Sequence, residues 1–162
     1  MTLVFPFQEE MLIGSPPPSL PPTSNSRWRP LIPVAVVAPS GNRFRFQRAL
    51  LDGGSDDTVL PIAVALRLGI VLESPTSHGV RWRGQWYPLR FGRVEFELVD
   101  ESGATLRWPA MVAFASAKIR YPLLGICGVW EYLNITIRGP SRMIEIEADH
   151  LFPGTIFDGD RD

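Results

Sequence analysis

Apolar and polar positions alternate along much of this chain. In "RFGRVEFELV" (90–99), Phe91, Val94, Phe96 and Leu98 make a mostly period-two face with Arg93, Glu95 and Glu97 outward, the pattern of a half-buried strand. Four further β-branched or aromatic runs, "LIPVAVVAP", "RFRFQRALL", "LRWPAMVAF" and "YLNITIRG", are punctuated at close intervals by Gly, Pro, Asn or Asp. Helical character is confined to "PIAVALRLG", with proline at a first helical position and Gly69 as the stop, and to a short second helix expected after Gly128 in "VWEYL". The pattern predicts an all-β domain, a closed or folded-over barrel with one or two short helices.

Gly14 to Ser26, "GSPPPSLPPTSNS", cannot pack a core and is expected to be extended or disordered. Residues 1–27 therefore read as a proline-rich, flexible N-terminal arm, residues 28–150 as the folded domain, and residues 151–162 as an acidic, frayed tail. Pro18 to Pro21 has the P-x-x-P form of an SH3 ligand. A spacer is the favoured reading, because such spacing arises in any proline-rich run.

Composition narrows the function classes. A length of 162 residues suits one domain, and 45% hydrophobic with 20% charged residues is a globular balance. Sixteen basic against seventeen acidic residues give a formal charge of -1, which leaves no electrostatic footprint for nucleic acid or an anionic membrane. No run approaches the roughly 20 apolar residues of a membrane span. The N-terminus has no basic leader region, and Gln8-Glu9-Glu10 interrupt its apolar run, so a cytoplasmic protein is expected. The lone Cys127 cannot form an internal disulfide, and His78 and His150 are too far apart for zinc-ligand spacing. No metal and no other cofactor is expected. Asn134-Ile135-Thr136 reads as a chance glycosylation match within a strand.

The segment that carries chemistry is "RALLDGGSDDTVLPIAVALRLG" (48–69). Asp52 follows the apolar pair Leu50-Leu51; two glycines and Ser55-Asp56-Asp57-Thr58 follow, and the chain then re-enters an apolar run. Asp52-Gly53 alone fits a type I′ hairpin turn. The wider stretch does not return as an alternating strand but enters a proline-initiated helix. A strand, a glycine loop and a helix hold one side chain at a strand end, where loop N–H groups can bind its carboxylate.

"ALLDGGSDDTVLP" resembles the active-site segment of retropepsin-like aspartic proteases, in which a D-[ST]-G triplet precedes Ala or Ser, Asp, Asp, Thr and apolar residues. "YPLLGICGVWEYLNITI", with Leu123-Leu124-Gly125, is similar to the family's second landmark, and "SHGVRWRGQWYPLRFGRVEFEL" has the position of its flap hairpin. The resemblance spans about Trp28 to Ala148 and implies a retropepsin-like barrel, a two-fold homodimer and hydrolysis of a peptide or protein substrate. Peptide hydrolysis by carboxylates needs two of them, one taking a proton from water while the other gives one to the carbonyl oxygen. Asp52 is the one suitable Asp-x-Gly acid, since Asp158-Gly159 lies in the tail, so Asp52 would meet its symmetry mate.

The resemblance gives the other residues roles. Gly54 lets the loop approach closely, and Ser55 places a hydroxyl on the outer oxygen of the carboxylate, which favours an acidic optimum. Asp56 and Asp57 match positions near the ends of the substrate cleft, or else form a solvated loop capping the helix at Pro61. Gly79 and Gly84 permit the flap turn. Trp82 and Trp86 cover an apolar substrate side chain, or else are surface or dimer contacts. Two positions depart from the family. Gly53 replaces the Thr or Ser whose hydroxyl bonds across the dimer, and Ile126 replaces an arginine that retroviral members pair with the acid aligned with Asp56. Three functions follow: a dimeric aspartic endopeptidase, a degenerate dimer that binds peptides with little cleavage, and a β-barrel interaction module displaying the proline-rich arm.

Overall fold

A computed structural model describes residues 1–73 and 77–159. In chain order its strands are β1 (Thr2–Pro6), β2 (Gln8–Met11), β3 (Ser26–Arg29), β4 (Leu31–Val37), β5 (Arg43–Leu51), β6 (Val59–Pro61), β7 (Gly79–Trp82), β8 (Gln85–Val99), β9 (Thr105–Ala115), β10 (Leu123–Leu124), β11 (Leu133–Arg138), β12 (Met143–Ala148) and β13 (Thr155–Phe157). One helix, α1 (Ile62–Leu68), lies among the described residues. The protein is all-β, as its alternation predicts. No helix among the described residues is long and apolar enough to cross a membrane.

Six strands close into a barrel. β5 pairs with β4, β4 with β8, β8 with β9, β9 with β6, β6 with β10, and β10 returns to β5. Each of the five runs named from the sequence coincides largely with a strand. Pro33 is accommodated where the β4–β5 register shifts between Ile32 and Val34. Trp108, Phe96, Phe114, Leu60, Leu106 and Leu124 are among the fully buried core side chains.

The long strand β8 changes phase along its length. Val94, Phe96 and Leu98 enter the main core, whereas Phe91 packs with Leu89 and Tyr87 in a second cluster with Val59, Leu123 and Ala113 and Ala115 of β9. Gly92 marks the change: a Cβ there would lie 2.8 Å from Ile70 Cγ2. Helix α1 begins after Pro61 and ends at Gly69, whose φ of 66° lets the N–H groups of Gly69 and Ile70 reach the Leu66 and Ala65 carbonyls.

Four sequence expectations need correction. Residues 1–27 are not a free arm: β1 pairs with β12, burying Leu3 and Phe5, and β2 pairs with β3. The alternation of Leu3 and Phe5 supplies the buried face, but its partner strand lies far along the chain. Within the proline-rich connection, Leu20 and Ser24 N–H groups bond the Pro17 and Pro21 carbonyls, so Pro18–Pro21 is turned rather than extended.

The tail is not frayed through its described part. β13 pairs with the edge of β9, and the Phe152 ring packs tilted against Trp108 with centroids 5.7 Å apart. Finally, Gly128–Tyr132 is a series of turns rather than a second helix. Gly128 has φ 92°, and the Trp130 and Glu131 N–H groups reach back five residues to the Gly125 and Ile126 carbonyls.

Candidate active site

Asp52 stands at the end of β5, half-buried, where β10 is wedged between β5 and β6. Leu50 and Leu51 pair in parallel with Leu123 and Leu124, and Leu123 pairs with Val59 across the other edge. The two segments singled out as motifs are therefore neighbouring strands. The Asp52 N–H donates to the Leu124 carbonyl at 3.1 Å, continuing the ladder into the loop.

Inside the loop, the Gly54 N–H donates to Asp52 Oδ1 at 3.1 Å, and the Ser55 N–H donates to the Asp52 carbonyl at 3.1 Å. This is a side-chain-supported turn that fixes the carboxylate relative to the backbone. Neither Asp52 nor Gly53 has positive φ, so the type I′ turn, which requires it at both positions, is ruled out. The Ser55 hydroxyl donates to the Asp57 carbonyl at 2.7 Å instead of to the Asp52 carboxylate. The role expected of Ser55 is corrected accordingly.

Gly125 is explained by the closeness of the two loops. The Ile126 and Cys127 N–H groups donate to the Ser55 and Asp56 carbonyls, both at 2.8 Å, so the backbones run side by side. A Cβ on Gly125 would lie 2.2 Å from the Asp57 carbonyl oxygen. The buried Thr58 hydroxyl accepts the Gly125 N–H at 3.0 Å. Trp130 completes the lock: its indole N–H donates to the Leu124 carbonyl at 2.9 Å, the acceptor also used by Asp52. The same ring lies 3.6 Å from where a Gly53 Cβ would stand. Neither Thr58 nor Trp130 stands out in the sequence: Thr58 lies inside the motif without a charge or position that marks it, and Trp130 falls in the segment expected to be helical.

The remaining candidates divide. Asp56 is exposed and makes no ion pair among the described residues, and neither Asp56 nor Asp57 caps α1, which has no side-chain cap. Asp57 instead forms a backbone bridge with Cys127. Partial desolvation, then the charges of Glu131, Asp57 and Asp56, push the Cys127 thiol pKa up, the opposite of an activated nucleophile.

β7 and β8 form the expected hairpin, turning at Arg83 (φ 49°) and Gly84 (φ 81°). Gly79 is not part of that turn. It pairs with Pro88, and a Cβ there would lie 2.3 Å from the Trp86 ring. The Trp82 side chain lies outside the described part of the structure.

A second polar cluster braces this site. Glu10, on β2, is fully buried, with Arg27 at 2.6 Å, Arg120 at 3.1 Å, Arg29 at 3.5 Å and the Tyr121 hydroxyl donating at 2.7 Å. Burial by itself raises the Glu10 pKa. The hydrogen bonds from Tyr121 and Arg27 and the charges of Arg29 and Arg27 outweigh it and hold the carboxyl at about 2. Arg120 and Tyr121 lie just before β10, so the cluster ties the N-terminal hairpin to the strand beside Asp52. Its only sequence signal was an acid interrupting an apolar run.

Among the described residues no group of three or more His, Cys, Asp or Glu side chains is arranged to hold a metal ion. No family model, no curated protein and no solved structure matches this chain.

Proposed function

We propose that this chain is a retropepsin-type aspartic endopeptidase acting as a two-fold homodimer, with Asp52 from each subunit forming a dyad that activates water. The observation that carries the reading is the junction of β5, β10 and β6. An acid at a strand end is held there by its own loop, by the Leu124 carbonyl and by the Gly125 seat. That arrangement immobilises one carboxylate without neutralising it with a cation, since Asp52 has no ion-pair partner among the described residues. One carboxylate needs a second for acid–base work on a peptide bond, and a symmetry mate supplies it with one shared proton. No cofactor takes part. The β7–β8 hairpin then acts as the flap.

A second reading, a dimer that binds peptide with little cleavage, is favoured by two details. Gly53 has no hydroxyl to link the two loops, and the Ser55 hydroxyl is engaged by the Asp57 carbonyl. Incubating the purified protein with a diverse peptide mixture over an acidic-to-neutral pH series, read by mass spectrometry, separates the two. New cleavage products that vanish in Asp52→Asn support the endopeptidase. Products that survive in Asp52→Asn overturn it, and retained peptide without products points to the binder.

A further inference from the structure

The β7–β8 hairpin has an outward face opposite the one that packs on Val59 and Leu123. From Ser74 to Val94 the sequence holds four arginines, Arg81, Arg83, Arg90 and Arg93, and no Asp or Glu. Cross-strand register sets Gly79 opposite Pro88 and Arg81 opposite Trp86. Gly79, Arg81, Trp86, Pro88 and Arg90 therefore share one side of the hairpin. Val80, Tyr87 and Leu89 occupy the other and pack on Val59 and Leu123.

On the outer side the Trp86 indole lies against Gly79, where a Cβ would come within 2.3 Å of the ring, and it is 53% exposed. Arg81 and Arg90 are exposed beside it, with Arg83 at the turn. None of the three makes an ion pair among the described residues. Elsewhere Arg43, Arg107 and Arg138 are matched to Glu97, Glu95 and Glu145, and Arg27, Arg29 and Arg120 to Glu10. Arg67 and Arg142 lie over the Phe44 and Trp28 rings, and Arg45 and Arg48 on β5 also make no ion pair among the described residues. The hairpin is thus a place where guanidinium charge gathers without an internal counter-ion.

We infer that this outer face docks an acidic segment of a protein substrate, carboxylates engaging Arg81 and Arg90 while a neighbouring apolar side chain rests on Trp86. Guanidinium groups form their strongest hydrogen bonds with such oxyanions, and an indole offers a large apolar contact area. That the docked segment belongs to a substrate rests on the endopeptidase reading; the docking itself does not. A single-stranded nucleic acid would want a longer cationic track than one hairpin, and the chain as a whole carries a formal charge of -1.

The test uses full-length Asp52→Asn protein, so that bound peptide is not consumed, and fluorescence anisotropy with three labelled probes. These are a glutamate-rich peptide containing one leucine, its lysine-rich counterpart, and oligothymidylate. The glutamate-rich peptide should bind best, weaken as salt is added, and lose about tenfold in affinity on R81E/R90E. Circular dichroism of that variant should be unchanged, since both positions are exposed. Equal affinity of the parent and a folded R81E/R90E for the glutamate-rich peptide overturns the inference. So does tighter binding of the lysine-rich peptide or of the oligonucleotide. Failure of Asp52-dependent cleavage would leave this binding intact, and loss of binding would leave cleavage of short neutral peptides intact, so the two readings fail separately.

Discussion

Two glycines beside Asp52 have opposite tolerances. At Gly125 an added methyl would meet backbone on two sides, 2.2 Å from the Asp57 carbonyl oxygen and 2.7 Å from that of Ser55. Backbone cannot rotate away as a side-chain tip can, so the strand and loop must separate. Gly125→Ala is expected to cost about 3 kcal/mol, at the upper end for overpacking, read as a fall in the urea midpoint with unchanged slope. At Gly53, by contrast, φ is not positive and a Cβ would make ordinary contact with the Trp130 ring at 3.6 Å. Gly53→Thr should therefore fold, gaining roughly 0.4–1 kcal/mol from a narrower unfolded ensemble. If two such loops face each other, the restored hydroxyl should also tighten dimerisation and speed cleavage. Sedimentation and turnover measured on both variants check this. A stable Gly53→Thr protein with weaker association and slower cleavage would count against a protease-like loop.

At the scale of elements, what was legible depended on how local the signal is. β8 and β5 announce themselves because apolar alternation and punctuation lie within each strand. β10 has two residues and no propensity to speak of; only its resemblance as Leu123-Leu124-Gly125 drew attention to it. β1 and β2 were read as an arm because the prolines after residue 14 dominated the segment, and their stability comes from β12 and from partners beyond the loop. Glu10 shows the same limit. An acid before an apolar pair looks like a solvated break, whereas three arginines and Tyr121 from separate segments make it the fully buried centre of the N-terminal hairpin's attachment. Removing that charge leaves three guanidinium groups without their counter-ion. Glu10→Gln should therefore destabilise the protein by roughly 3–5 kcal/mol in urea unfolding at neutral pH. Because the folded-state pKa of about 2 lies below the ordinary 4.5, the stabilisation from Glu10 is complete above the ordinary value. It declines as pH falls toward the folded value and is gone below it. The penalty of Glu10→Gln should thus shrink on acidification through that window, and a penalty constant from neutral pH down to about pH 2 would refute the ionised cluster.

The whole molecule poses the question of how many copies act together. The barrel closes on itself, the hairpin rises from its β8–β9 side, and Asp52 sits half-buried at the end of β5. Its carboxylate has a backbone N–H from Gly54 but no hydrogen bond or ion pair to another acid among the described residues. A single copy therefore lacks the paired carboxylates that the proposed chemistry demands, and a two-fold axis beside the loop is the simplest supply of the second. On the proposed mechanism activity would be a property of pairs, which mixing can measure. Wild type and Asp52→Asn, co-refolded at fixed total concentration, should assort at random because the substitution keeps the shape of the side chain. Only wild-type pairs retain two ionisable acids. Activity should then follow the square of the wild-type fraction, leaving about a quarter at an equal mixture, whereas chains acting alone would leave about half. A linear dependence, with subunit exchange verified by mass spectrometry of differently labelled chains, would show that each Asp52 works alone and would remove the shared-proton dyad from the mechanism.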